Sequence, residues 1–143
     1  MSLDFDKYAQ EGNQFVNRLA ESLGHPDERD QVTILLRAVL HALRDRISIA
    51  ENLHVLSQLP MFLKAVYVSE WSYSDDLERV KTTEGFSDRI EAYQQQYGES
   101  DFDWKASTPE LAAKVFAEIE RYLTEGEVVD IKSQLPQDIA SLV

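Results

Sequence analysis

Cysteine is absent from the 143-residue chain, which excludes disulfide bonds, thiolate metal sites and cysteine nucleophiles. Proline and glycine are scarce, at four and five residues, and this scarcity favours helices over closely spaced turns. The glycines are isolated from one another, so the sequence has no glycine-rich phosphate loop, and it also lacks the Gly-x-Ser-x-Gly motif of serine hydrolases. The common signatures of nucleotide binding and nucleophilic catalysis are therefore missing.

Long hydrophobic runs are missing as well. The longest, at residues 59–68, is interrupted by Lys64 and falls short of the roughly 20 residues that a membrane-spanning helix needs. Residues 1–12 are acidic and polar and do not resemble a secretory signal. We therefore expect a cytoplasmic protein that does not associate with membranes.

Positive charge is in short supply. The formal net charge is −12, and residues 72–143 hold the larger share of the excess acid. Nucleic acids and anionic membranes bind proteins largely through Lys and Arg, so neither is an expected partner. An acidic surface commonly serves solubility. Its alternative role is a docking face for a basic protein, which makes protein the expected class of partner.

Apolar residues recur with the helical spacing i, i+3, i+4, i+7 in two long segments. One stripe comprises Val32, Leu35, Leu36, Val39, Leu40, Leu43 and Ile47. The other comprises Leu111, Val115, Phe116, Ile119, Tyr122 and Leu123. No segment alternates as a half-buried strand would, and 43% of the chain is hydrophobic, which is enough for a core. The sequence therefore predicts an all-α fold.

The tetrapeptide Ser-Gln-Leu-Pro occurs twice, at residues 57–60 and 133–136. Superposing the two copies along the chain aligns apolar with apolar positions on both sides of them, Leu40 with Phe116 among others. This agreement predicts an internal duplication. We expect two tandem helical repeats, residues 1–70 and 86–143, that are joined by a connector at 71–85 and share one core about a pseudo-twofold axis.

The segment before each copy explains why the tetrapeptide is repeated. Ser48 and Thr124 are each followed three residues later by a glutamate, which is the spacing of a capping box. In such a box the hydroxyl accepts from the third backbone N–H, and the glutamate reaches back to the N–H of the cap residue. Pro60 and Pro136 then end the short helix, because proline cannot continue it.

These motifs resemble those of the bacterial domain-of-unknown-function family numbered 2267. The resemblance rests on the capping box with "QLP", on "LPMFLKAVYVSEW" in the first half and on "GEVVDIKSQLP" near the end, and it covers nearly the whole chain. It implies a small, all-α protein of two related halves. It implies no catalytic residue, because the matching motifs are structural.

One spacing suggests a metal site. Glu51 and His54 form a Glu-x-x-His pair on one helical face, and di-iron bundle proteins use two such pairs with two further glutamates. The second repeat offers Glu127 and Asp130 at the corresponding place. Both glutamates are, however, predicted to be occupied as capping residues. We therefore expect no bound metal and no cofactor, with these four residues as the candidates should a metal bind.

Two further sets of residues have alternative interpretations. His41 and Asp45 lie four residues apart but off the apolar stripe, so we expect them to be solvated. Aromatic residues cluster in and near the connector and before the second stripe: Tyr67, Trp71, Tyr73 and Trp104. Trp and Tyr are favoured anchors of protein interfaces. These aromatic residues therefore either cover the joint between the two halves or form an interaction surface.

The function expected from the sequence is that of a non-catalytic interaction or regulatory module, which binds another protein through its acidic or aromatic surface. The alternative is a small metal-dependent enzyme or metal-binding protein that uses the Glu-x-x-His face.

The capping residues can be tested directly. Ser48→Ala and Thr124→Ala should each lower the free energy of unfolding by about 1 kcal/mol, because each change leaves helix N–H groups without an acceptor. Urea denaturation of both variants measures the loss. Two neutral variants would show that positions 48 and 124 do not cap helices.

Overall fold

The computed structural model describes residues 4–71, 83–98, 104–135 and 140–141. In these ranges the chain forms seven α-helices and no strand, which confirms the all-α class. The helices are α1 (Phe5–Leu23), α2 (Arg29–Arg46), α3 (Ile49–Gln58), α4 (Met61–Val68), α5 (Thr83–Gln96), α6 (Thr108–Ile119) and α7 (Glu125–Gln134). A single 3₁₀ turn, Glu120–Tyr122, follows α6. Among the described helices, none is long and apolar enough to cross a bilayer.

The helix ends follow from short polar residues and glycine. Asp4 and Ser107 accept hydrogen bonds from the first-turn N–H groups of α1 and α6. Gly24 ends α1 with φ of 81°, a left-handed conformation that glycine adopts without steric cost. The α5 helix begins at Thr83, inside the segment predicted as a connector at 71–85. Pro136 and Tyr73 lie outside the described residues.

Helix α2 forms the centre of the fold. It packs against α1, α4, α5 and α6, while α3 packs against α7. The predicted apolar stripe of α2 is buried throughout, as is most of the corresponding stripe of α6. Leu59 and Leu135, which precede Pro60 and Pro136 in the sequence, are also buried. The helical periodicity of the sequence therefore identified the core of both segments correctly.

The expectation that His41 and Asp45 are solvated is wrong. His41 is 0% exposed; its Nε2 lies 2.8 Å from the carbonyl of Val66, and its Nδ1 lies 2.5 Å from the hydroxyl of Tyr97. Asp45 is half-buried, forms an ion pair with Arg89 at 3.1 Å and accepts a hydrogen bond from the hydroxyl of Tyr93. The reason is that α5 covers a second face of α2, which the apolar stripe does not indicate.

Arg44 is the other buried polar residue of α2. Its guanidinium donates to the carbonyl oxygens of Tyr67 and Ser69, at 2.6 and 2.8 Å, at the C-terminal end of α4. The carbonyl oxygens at a helix C-terminus are unpaired and partially negative, so they offset a buried positive charge. The hydroxyl of Tyr67 in turn donates to Asn52 of α3. Arg44 thereby links three consecutive helices.

The environment of His41 predicts a pH dependence. Burial lowers the pKa of this imidazole from its ordinary 6.5 to about 4. The unfolded chain therefore takes up a proton below about pH 6.5 while the folded chain does not, and stability is lost as the pH falls through about 4. His41→Gln keeps a donor for Val66 and an acceptor for Tyr97 but does not titrate.

We expect a smaller loss of thermal stability between neutral pH and about pH 4 in this variant than in the unmodified protein. Thermal unfolding monitored by circular dichroism over this range makes the comparison. Parallel pH profiles of the two proteins would show that His41 does not contribute to acid sensitivity.

Candidate functional site

The helices α3 and α7 meet with their first turns held by matching hydroxyl caps. The hydroxyl of Ser48 accepts from the N–H of Glu51 at 3.2 Å, and the hydroxyl of Thr124 accepts from the N–H of Glu127 at 3.1 Å. Both cap residues have extended backbone conformations, as N-cap residues do. The predicted cap positions are therefore correct.

The second half of each predicted capping box is wrong, because glutamines take the place of the glutamates. The N–H of Ser48 donates to the side-chain oxygen of Gln134 at 2.9 Å, and the N–H of Thr124 donates to that of Gln58 at 2.8 Å. Each glutamine stands at the end of one helix and caps the start of the other. The two helices therefore run antiparallel and exchange their caps.

These glutamines are the second residues of the two Ser-Gln-Leu-Pro copies. The sequence predicted that the tetrapeptide marks the end of a helix, but it did not predict the capping role of the glutamine. The signal in the sequence was the glutamine itself, which occurs at the same position in both copies although the end of a helix does not require an amide side chain. Gln134 and Gln58 lie 86 and 66 residues from the cap residues that they contact, and local capping rules do not apply over such separations.

The exchange of caps releases two carboxyl groups. Glu51 and Glu127 are only 8% and 5% exposed. When both carboxyl groups are ionised, Oε1 of Glu51 and Oε2 of Glu127 are buried and have no hydrogen-bond donor among the described residues. The remaining oxygen of Glu127 accepts from the amide of Gln58 at 3.3 Å. Buried carboxylate oxygens without a donor are costly, so a proton or a cation between them would stabilise the pair.

His54 completes a cluster at this place. One ligand atom from each of Glu51, His54 and Glu127 lies within 4.8 Å of the other two. His54 is exposed, so its imidazole is accessible to solvent from the outer side of α3. The fourth candidate, Asp130, is exposed and lies outside this set of three, although its charge acts on Glu127. The predicted Glu-x-x-His face is thus partly assembled, with one glutamate from each helix.

The proximity of the two glutamates changes the acid–base behaviour of the site. Burial, which is the largest cause, and the neighbouring Glu51 together raise the pKa of Glu127 to about 8. Glu51 contributes because the two carboxyl groups can share one proton in a hydrogen bond, and because a second negative charge would be repelled. Chemically, the site can therefore hold one proton at neutral pH or exchange it for a metal ion.

The aromatic residues considered for an interaction surface lie elsewhere. Tyr67 is fully buried against Asn52 and Trp71, so it offers no contact to a partner. Trp104 is also buried; it stacks on His25 with ring centres 4.0 Å apart and donates to Glu28 at 3.2 Å. This contact joins the α1–α2 turn to the segment before α6. Trp71 is half-buried, and Tyr73 lies outside the described residues.

The glutamate pair predicts a second, opposite pH dependence. The pKa of Glu127 lies near 8 in the folded chain and near its ordinary 4.5 in the unfolded chain, so its contribution to stability is present below about pH 4.5 and is lost as the pH rises through about 8. We expect the metal-free protein to lose thermal stability from about pH 5 to about pH 9, and Glu127→Gln to lose less, because the amide cannot ionise. Melting curves recorded with a chelator test this. An equal loss in the variant would contradict the raised pKa.

The comparisons with known proteins supply a family and no activity. Curated proteins give no match to this chain. The model of a family described as "Uncharacterized conserved protein (DUF2267)" matches residues 12–142. The match begins inside α1, continues through α7 and includes both Ser-Gln-Leu-Pro segments. The chain therefore belongs to the DUF2267 family.

Proposed function

We propose that this chain is a non-catalytic regulatory module that binds one divalent transition-metal ion between α3 and α7, through Glu51, His54 and Glu127. The observation that supports the proposal is a pair of buried carboxyl groups, each with an oxygen that has no donor, that bring one ligand atom each to within 4.8 Å of an imidazole nitrogen. The sequence argued against a metal because both glutamates were expected to complete capping boxes. Gln58 and Gln134 make those bonds instead, and this objection no longer holds.

The ligand set favours particular ions. Two carboxylates and one imidazole match Zn²⁺, Mn²⁺ or Fe²⁺, whereas Mg²⁺ and Ca²⁺ prefer oxygen ligands alone. Zinc ligands lie about 2 Å from the metal, so the three groups must approach one another on binding. His54 is exposed and can rotate, and this freedom makes the approach inexpensive. A water molecule would fill the remaining coordination position.

Binding is favoured over catalysis because the space beneath the site is small. The cavity under α3 and α7 has a volume of about 10 Å³, at most enough for one water molecule, and Val55, Phe116 and Ile131 are among its apolar lining residues. A metal that joins α3 to α7 would instead tie together segments from the two halves of the chain. Such a link is a means of regulation.

We also infer that residues 1–70 and 86–143 are duplicated units and that the metal site lies on their pseudo-twofold axis. The exchanged caps support this inference, because Ser48 with Gln58 and Thr124 with Gln134 occupy equivalent positions in the two Ser-Gln-Leu-Pro frames. In this arrangement each unit contributes one glutamate. The histidine makes the site asymmetric, because Asp130 occupies the equivalent position in the second unit.

A protein partner is the second candidate, and a specific observation favours it. Ile49 and Leu53 on α3, and Val129 on α7, are exposed apolar side chains, with Leu53 and Val129 more than half exposed. Leu53 and Val129 also stand at equivalent positions in the two frames. We propose that a protein docks on the outer faces of these two helices, beside the metal site.

Metal binding is tested on chelator-treated protein without a tag. Isothermal titration with ZnCl₂ should give one site per chain and release a proton near pH 7, because the metal displaces the proton of the glutamate pair. His54→Ala should weaken zinc binding by about tenfold or more. It should leave the melting temperature of the metal-free protein unchanged, since His54 is exposed. MgCl₂ should not bind.

The matched control is Asp130→Asn, which removes a nearby exposed carboxylate that does not belong to the cluster. This variant should bind zinc with nearly unchanged affinity. Equal losses in His54→Ala and Asp130→Asn would indicate diffuse electrostatic attraction rather than coordination. Failure of zinc to saturate at one equivalent would reject the site altogether.

A further inference from the structure

A groove lies between α1, α2 and α4, on a different set of helices from the proposed metal site. Its volume is about 460 Å³, which is within the usual range of roughly 300 to 1,000 Å³ for small-molecule pockets. Phe15, Leu36 and Leu63 form a buried apolar floor, and Phe62 and Val66 of α4 form a partly exposed wall. The groove is therefore suited to an apolar body.

Polar residues of α2 line one side of this groove. Arg29, Thr33 and Arg37 stand four residues apart on one face of the helix, so they span about 12 Å. Arg37 is already neutralised, because it forms an ion pair with Glu70 at 3.1 Å and lies over the ring of Tyr97. The groove therefore has a compensated cation at one end and Arg29 at the other.

Arg29 differs from the other arginine in its partners. Its guanidinium donates to the side-chain oxygens of Asn13, at 3.1 Å, and Asn17. These amides orient the group but do not neutralise its charge. Over the described stretches of the chain, no carboxylate forms an ion pair with it. In a chain of net charge −12, this cation is oriented by neutral amides and lies at the end of an apolar groove.

We propose that this groove binds a single-chain amphipathic anion, with a carboxylate-like head on Arg29 and an alkyl body along the floor of Phe15, Leu36 and Leu63. The fork of guanidinium N–H groups matches a carboxylate, and two of its donors are already held in place by the asparagines. The site is independent of the metal proposal, because it shares no residue with the α3–α7 cluster.

The test uses decanoate as the probe, at concentrations where it is monomeric. Isothermal titration of the full chain should give saturable binding at one site, although protein and ligand are both negatively charged. Decyltrimethylammonium has a similar alkyl chain and the opposite charge, and it should bind more weakly. Tighter binding of this cation would overturn the proposal, because it would show that the net charge of the protein determines affinity.

Two variants and one control locate the site. Arg29→Gln should weaken decanoate binding by about tenfold or more, since a hydrogen bond to a charged group is lost. Arg121→Gln removes the same charge from an exposed position away from the groove and should have no effect. Ala9→Trp places a large ring in the groove from the exposed side of α1 and should abolish binding while the melting temperature is kept.

Other occupants give different outcomes. If the groove is covered by a second copy of the chain, sedimentation velocity will show a dimer that Ala9→Trp dissociates, and decanoate will not bind the unmodified protein. If it recognises a lipid surface, the protein will sediment with phosphatidylglycerol vesicles and not bind monomeric decanoate. Either result, or equal weakening by Arg29→Gln and Arg121→Gln, rejects the proposed free anion.

Discussion

The burial of α2 on nearly every side is the constraint on which the other helix positions depend. A helix in this position must satisfy each polar side chain within the protein, since an unpaired buried polar group costs about 1–3 kcal/mol and a buried charge costs more. His41 and Arg44 are both almost completely buried. Their requirements fix the C-terminal end of α4, whose carbonyl oxygens they bind, and His41 also holds α5 through Tyr97. The position of α4 then determines both the turn from α3 and the wall of the groove.

The parts of the fold that were predictable depend on residues close together in the chain. Helical periodicity and the hydroxyl caps operate within one or two turns, and they identified the core of α2 and α6 and the starts of α3 and α7. His41 and Asp45 were misassigned because an apolar stripe reports only one buried face, and a second face can be buried through hydrogen bonds instead. Glu51 was correctly placed at a helix start, but its freedom from capping depends on Gln134, a distant residue that no local pattern relates to it.

The exchange of caps explains how two acidic groups come to be buried together. A glutamate at the third helical position gains from the helix dipole and, in an ordinary capping box, from the N–H of the cap residue. Here an amide from the opposite helix takes that N–H, and antiparallel packing brings the two glutamates face to face. The dipole of each helix still favours a negative charge on its glutamate. Burial and mutual repulsion, however, oppose the ionisation of both glutamates at once. A single proton resolves the conflict at neutral pH, and a divalent cation would resolve it more completely.

The two proposed sites are opposite in sign, and the charge composition accounts for this. In a chain of net charge −12, an arginine normally finds a carboxylate, as Arg37, Arg89 and Arg121 do. Two buried carboxylates in the same chain could equally have been placed beside an arginine. Instead Arg29 donates to neutral amides, and the two glutamates lie beside each other. The positive charge of Arg29 and the negative charge of the glutamates therefore remain on separate helices and do not neutralise one another. Pairing them internally would have removed both the apparent need for a cation at α3–α7 and the anion preference of the α1–α2–α4 groove.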